Sequence, residues 1–257
     1  MTETAARRLG ALVNALVRSL VATAPAPRIL PGLGVEAASG TGHHLLDGLS
    51  ARGIFRKYEL VLQLGAGLGG HARWMAGRLG CEVVGTTETA AEAAAGMELT
   101  QRSAARGKVR LLPAHPLALP FRDACFTHVW IVEALPRLGD VSVALAEAYR
   151  TVRPGGFIAV QELVATGPVP DVPGWRFADV AARQAAIVGA GFVDLQTHDV
   201  TGDAAERSAR VLGARAQLMN RLRDDPTLAP IAVERETLAT ALASGSLRVV
   251  HLLARRA

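Results

Sequence analysis

The chain has 257 residues, enough for one large α/β domain or a domain with an appended cap, and its half-hydrophobic composition with only 4% aromatic residues requires a core of Ala, Val and Leu. The formal net charge is +5, yet the basic residues are almost all Arg, are scattered and never run longer than two, which argues against a nucleic-acid surface. No apolar run reaches membrane-spanning length, and Cys81 and Cys125 lack metal-ligand spacing, so they read as isolated thiols of a reducing cytoplasm and no metal site is expected.

Leu9, Leu12, Leu16 and Leu20 recur at helical spacing and predict an amphipathic helix over 5–21. Asn14 and Arg18 interrupt a stretch that would otherwise resemble a signal peptide. Pro25, Pro27 and Pro31 make a stiff tether to the body. Helices are then expected at 43–52, 70–79, 89–105, 140–152, 177–190, 204–223 and 231–243, and strands at 60–64, 82–86, 109–112, 126–132, 156–162, 192–199 and 246–254. Strand–helix alternation of this kind implies a parallel sheet with helices on both faces, interrupted by a breaker-rich loop over 166–174. The chain divides into an N-terminal helical lid and linker (1–42), a core (43–202), a helical cap insertion (203–245) and a final core strand (246–257).

The most informative stretch is Leu60-Val-Leu-Gln-Leu-Gly-Ala-Gly-Leu-Gly-Gly70, an apolar strand that enters a glycine-rich turn and then a helix. Glycine at 65, 67 and 69 lets the backbone turn tightly and approach a ligand with no Cβ in the way. The helix that follows offers free N–H groups and a partial positive charge at its first turn, a setting for an adenosine-containing cofactor. Gly65, Gly67 and Gly70 also satisfy the spacing of a dinucleotide site, and a tight turn with no ligand has the same pattern.

Three blocks together are more specific: Leu62-Gln-Leu-Gly-Ala-Gly-Leu-Gly-Gly70, Leu119-Pro-Phe-Arg-Asp-Ala-Cys-Phe126 and Tyr149-Arg-Thr-Val-Arg-Pro-Gly-Gly156, the last running into the strand Phe157–Leu163. Their order resembles a class I S-adenosylmethionine-dependent methyltransferase over about residues 40–200 and again at 246–254. Gly-Leu-Gly-Gly-His-Ala-Arg and Val132-Glu-Ala-Leu135 resemble the small-molecule branch of sterol, tocopherol and sarcosine/dimethylglycine methyltransferases. The resemblance implies a Rossmann-like seven-stranded α/β sheet, helices on both faces, the last strand antiparallel, with a helical cap over the substrate. It also implies S-adenosylmethionine as cofactor, held by Gln63, Gly65, Ala66, Gly67, Gly69, Thr87, Glu88, His115, Pro116 and Leu117.

Four positions that are usually acidic in such enzymes depart from the pattern: Gln63 before the glycines, Thr87 at the ribose position, His115 at the adenine position and Thr127 on the fourth strand. A carboxylate accepting hydroxyl hydrogen bonds contributes about 1.5–3 kcal/mol per bond, so weaker cofactor affinity is expected unless a replacement exists. Glu88, one residue beyond Thr87, is one candidate if the strand end is bulged. Backbone amides near 65–70 and 115–117 are available whatever the side chains.

Methyl transfer needs alignment, a dry cavity and, for some acceptors, a base. Glu133 at the end of strand four and Glu162 on strand five stand where a carboxylate could deprotonate a nucleophile or stabilise a cation, though a solvated helix-start acid has the same signature. His44, with His43 before the first core helix, is a third candidate base, and a surface helix cap is its plainer role. Trp130 reads as core, Trp175 as a wall of a substrate cavity and His71 as a helix-start residue. Three functions compete. The first is a cytoplasmic methyltransferase acting on a small, largely apolar metabolite. The second is a degenerate fold that serves as a partner subunit or a non-methylating module. The third is a nicotinamide-dependent oxidoreductase, which leaves the second and third blocks unexplained. A homodimer, or a heterodimer with an active paralogue, is compatible with the apolar N-terminal stripe.

Overall fold

The computed structural model describes residues 44–52, 58–103, 105, 107–210, 219–220, 222–226 and 228–257; the expected helix at 5–21, and with it the lid, lies outside these. Helix α1 (His44–Arg52) precedes β1 (Leu60–Leu64), α2 (Gly70–Leu79), β2 (Glu82–Thr87), α3 (Ala90–Gln101), β3 (Val109–Pro113) and β4 (Phe126–Val132). A 3₁₀ turn at Leu135–Arg137 follows, then α4 (Val141–Thr151), β5 (Val152–Ala165), α5 (Val180–Gly189), β6 (Phe192–Asp199), α6 (Thr201–Arg210), α7 (Ala229–Ala243) and β7 (Leu247–Arg256). The seven strands lie in the order β3-β2-β1-β4-β5-β7-β6. Strands β1 to β5 pair in parallel, and β7 inserts antiparallel between β5 and β6. Among the described residues no helix is long and apolar enough to cross a membrane.

The central strands read as near-continuous apolar runs because both faces of the sheet are covered. Alternation along a strand sends successive side chains to opposite faces. Thus Leu62, Leu64, Val129, Ile131 and Ile158 pack with Leu145 and Ala148 of α4 and Ile187 of α5. Val61, Val83, Trp130 and Ala159 pack on the other face with Ala72, Met75 and Ala76 of α2. Trp130 is wholly buried there, as core packing requires. Cys81 lies in the second layer, where burial pushes its thiol pKa up to about 12, so it acts as a small hydrophobe. A third cluster joins Leu163 of β5, Leu247 and Val249 of β7, and Val172 and Trp175 of the β5–α5 loop to Leu238 and Ala241 of α7.

Element limits differ from the sequence expectation where breakers hide a ladder or helix propensity overruns a cap. Strand β5 begins at Val152 rather than 156, because Pro154, Gly155 and Gly156 form an irregularity between the Phe126–Val152 and His128–Phe157 pairs. Helix α3 ends at Gln101, not 105, and α6 starts at Thr201, ahead of the expected 204.

The second and third sequence blocks are joined by one side chain. Arg150 donates to the carbonyls of Leu119 (3.1 Å) and Phe121 (2.7 Å) and pairs with Asp123 (2.7 Å) and Glu147 (2.8 Å). Glu147 in turn accepts from the Leu119 amide at 2.7 Å. The planar, five-donor guanidinium suits this clamp, which fixes the loop before β4 onto α4.

Candidate active site at the carboxyl edge of the sheet

Parallel open sheets bind ligands beyond the carboxyl ends of their strands, and the residues of interest collect at that edge of β1, β2, β4 and β5. The turn after β1 alternates positive φ at Gly65 (65°), Gly67 (53°) and Gly69 (79°), and Gly69 caps α2. The three glycines differ in their reasons. A Cβ on Gly65 would come within 2.7 Å of Ala134 Cβ, and one on Gly69 within 2.7 Å of Leu111 Cδ1, so those two are demanded by packing. A Cβ on Gly67 would meet only Glu92 Oε1, at 3.7 Å, and would otherwise project into open space. The Gly65 amide donates to Thr86 Oγ1 (3.2 Å) and the Ala66 amide to Thr86 O (2.7 Å), tying the loop to β2. The Gly67 and Leu68 amides have no acceptor among the described residues, which leaves donors for a ligand.

Gln63 is fully buried at the end of β1, and neither amide atom has a hydrogen-bond partner among the described residues. A buried unsatisfied polar group costs about 1–3 kcal/mol, so this amide is provision for a ligand atom or a water. Thr87 closes β2, is buried, and donates to Thr89 O at 2.9 Å. Glu88 does not follow a bulge. The strand stops at Thr87 in regular register with β3, and Glu88 is exposed, its amide donating to Glu92 Oε2 at 3.0 Å.

Glu92 is the residue the sequence reading missed. Its own amide bonds Thr89 Oγ1 (3.1 Å), its Oε2 takes the Glu88 amide, and its Oε1 faces Gly67. Burial pushes the Glu92 pKa up, opposed by the bond to the Glu88 amide. The signal was present, since Thr89-Ala-Ala-Glu92 has the spacing of a capping box. At the β3 end, the Ala114 amide bonds Thr87 O at 3.1 Å, which sets the His115–Leu117 turn beside β2. His115 is exposed and its Nδ1 accepts from the Leu117 amide at 3.3 Å, so that amide is occupied, contrary to the sequence expectation.

Glu133 follows β4 in a left-handed conformation (φ 53°), an arrangement that a non-glycine residue holds only when its surroundings impose it. Its backbone amide donates to Gln161 O at 2.7 Å. Its buried carboxylate accepts from Gln161 Nε2 at 2.7 Å, and Gln161 Oε1 lies 3.1 Å from His251 Nε2. A carboxylate only accepts, so the amide of Gln161 is oriented, and His251 carries its proton on Nε2. Glu162 points to the other face of the sheet. It is wholly buried, one oxygen takes the Leu163 amide (2.8 Å), and the other has no hydrogen-bond partner among the described residues. Burial raises its pKa to about 8, with Arg183 opposing and Glu133 adding to the rise. His44 is the first residue of α1, and its side chain lies outside the described residues. Trp175 is nearly buried, stacks on Phe177 at 5.5 Å and carries Arg137 over its face at 5.8 Å.

The sheet order, the antiparallel β7 and the glycine turn at the end of β1 define a Rossmann-like methyltransferase fold. Residues 62–160 match the family described as "Methyltransferase domain". The matched segment runs from β1 into β5 and contains the glycine turn. Among curated proteins the chain is 28% identical over 138 residues to methyltransferase GfsG of Streptomyces halstedii, covering 54% of this chain and 50% of that one. It is 30% identical over 152 residues to O-methyltransferase cnsE of Penicillium expansum, covering 59% and 53%. The chain thus spans about half the length of these relatives. Among solved structures, the [4+2]-cyclase SpnF superposes with a TM-score of 0.70 at 20% identity, covering 83% of this chain and 80% of that chain.

Proposed function

We propose that this protein is an S-adenosylmethionine-dependent methyltransferase acting on a small, largely apolar metabolite. The observation that carries the reading is the turn after β1, where Gly67 opens onto free space beside two unpaired amides while its neighbours Gly65 and Gly69 are accounted for by packing. The donor set fits the cofactor. The Gly67 and Leu68 amides and the first turn of α2 suit a carboxylate, the buried Gln63 amide suits a polar group of the amino-acid end, and Glu92 and Thr87 suit ribose hydroxyls. Glu92 is the replacement for the acid that Thr87 lacks. The family names of the relatives, a methyltransferase and an O-methyltransferase, support the same reading.

When bound, S-adenosylmethionine supplies an electrophilic methyl on a sulfonium, which leaves alignment, water exclusion and base catalysis to the protein. Glu133, held by Gln161, is the carboxylate best placed to accept a proton from an acceptor hydroxyl or carbon acid. Glu162 is on the opposite face, wholly buried with its pKa raised to about 8, and is not placed to act as the base. Trp175, expected from the sequence to wall the acceptor cavity, is instead nearly buried against Phe177 and the α7 cluster. The lid that the sequence predicts over 5–21 and 203–245 would keep water from the sulfonium. The test is formation of S-adenosylhomocysteine from S-adenosylmethionine across a panel of apolar hydroxylated and carbon-acid acceptors. Turnover with at least one acceptor, reduced at least about 100-fold in Glu133→Gln, is expected. Binding of NAD in place of S-adenosylmethionine would overturn the proposal.

A further inference from the structure

The loop after β4 and the loop after β5 meet at the carboxyl edge, where the Arg176 amide donates to Pro136 O at 2.9 Å. Between them lies a cleft of about 530 Å³ lined by Pro136, Arg137, Gly139, Asp140, Gly174 and Arg176. That is far more than one small ion fills and falls in the range of small-molecule sites. Two arginines line it, and among the described residues neither guanidinium has an ion pair or a hydrogen bond. The one acidic lining residue does not neutralise them. The Asp140 carboxylate is committed to the N-terminus of α4, accepting from the Ser142 (3.0 Å) and Val143 (3.2 Å) amides.

Arg137 is also held in place. Its guanidinium lies over the Trp175 ring, and its charge is felt by Glu92, the carboxylate that faces Gly67. The cleft therefore adjoins the glycine turn without being part of it. Both arginines are exposed on the one cleft, where an oxyanion can be held by them. Guanidinium groups do this with paired, charge-assisted hydrogen bonds, and arginine suits planar oxyanions better than lysine does.

We infer that this cleft binds an oxyanion group, phosphoryl or carboxylate, carried by the methyl acceptor, with Arg137 and Arg176 as its ligands. The inference rests on the methyltransferase reading for what the anion belongs to, but not for the binding itself. The acceptor then has an anionic end held at the arginines.

The test is calorimetric titration of the full chain with inorganic diphosphate, inorganic phosphate and acetate, in low salt, with and without S-adenosylhomocysteine. The variants are Arg137→Gln, Arg176→Gln and, as control, Arg122→Gln, which sits before β4 on the opposite edge of the sheet. Each cleft variant is expected to weaken anion binding at least about tenfold, and the control to leave it unchanged. Preference for diphosphate assigns a phosphorylated acceptor, and equal or better binding of acetate assigns a carboxylate. Anion binding that the control weakens as much as the cleft variants, or no binding at all, overturns the inference. So does displacement of S-adenosylhomocysteine by diphosphate, which would put the anion in the glycine turn. S-adenosylhomocysteine binding without arginine-dependent anion binding refutes the cleft alone. Arginine-dependent anion binding without S-adenosylhomocysteine binding refutes the methyltransferase reading alone.

Discussion

Glu162 shows how one side chain couples position to pH. It is wholly buried, and its pKa rises from 4.5 to about 8 chiefly through desolvation. In the window between these values the folded protein holds a proton that the unfolded chain has released. Stability therefore falls as pH rises from about 4.5 to about 8 and the loss is complete above that. Glu162→Gln removes the ionisable group with little change of shape. Urea melts at pH 5, 6.5 and 8 should show the variant gaining on the wild type as pH rises. A gap that is constant across the three pH values would contradict the assignment. Glu133 was legible in the sequence as a strand-end acid, but its left-handed backbone and its bond from Gln161 were not, because both depend on a strand 28 residues away. Nor could the sequence tell that Gly65 answers to Ala134, Gly69 to Leu111 and Gly67 to neither, since all three look alike in a glycine-rich turn.

At the scale of elements, the sheet was legible where apolar runs are bounded by polar residues. Strands β1 at Leu60–Leu64 and β4 at Phe126–Val132 have the expected limits, because a strand covered on both faces is a short apolar block with sharp ends. The start of β5 was not legible, since a Pro-Gly-Gly run reads as a break although the pairing resumes across it. The two blocks that carry the family resemblance are coupled through Arg150, which binds two carbonyls of one block from a helix of the other. Arg150→Lys keeps the charge but loses the fork, so it is expected to destabilise the fold nearly as much as Arg150→Ala, by roughly 2–3 kcal/mol. Denaturant melts of both variants check this, and full stability in Arg150→Lys would show that charge alone suffices.

At the scale of the molecule, the sheet is continuous from β3 to β6, and α7 packs on its β5–β7 side through Leu238 and Ala241. The expected lid begins with residues 1–24, outside the described residues. If that segment closes over the acceptor, a chain lacking 1–24 stays folded and still binds S-adenosylhomocysteine but loses turnover or acceptor selectivity. Full activity with only a change of mass in solution would instead make it an assembly element. The altered acids limit how much cofactor affinity the sequence could forecast. Gln63 and Thr87 looked like losses, whereas Glu92 enters the site from the next helix and is recognisable only as a helix cap until the fold brings it to Gly67.

Binding of S-adenosylmethionine across the turn after β1 is tested most directly by calorimetric titration of S-adenosylhomocysteine into the wild type and Gly67→Val. A branched side chain at this position adds left-handed strain of about 1–3 kcal/mol and fills the space in front of the unpaired amides. One-to-one binding by the wild type and none by Gly67→Val is expected, with a cooperative melt retained by both. Binding left intact in Gly67→Val, or absent from a folded wild type, would contradict it.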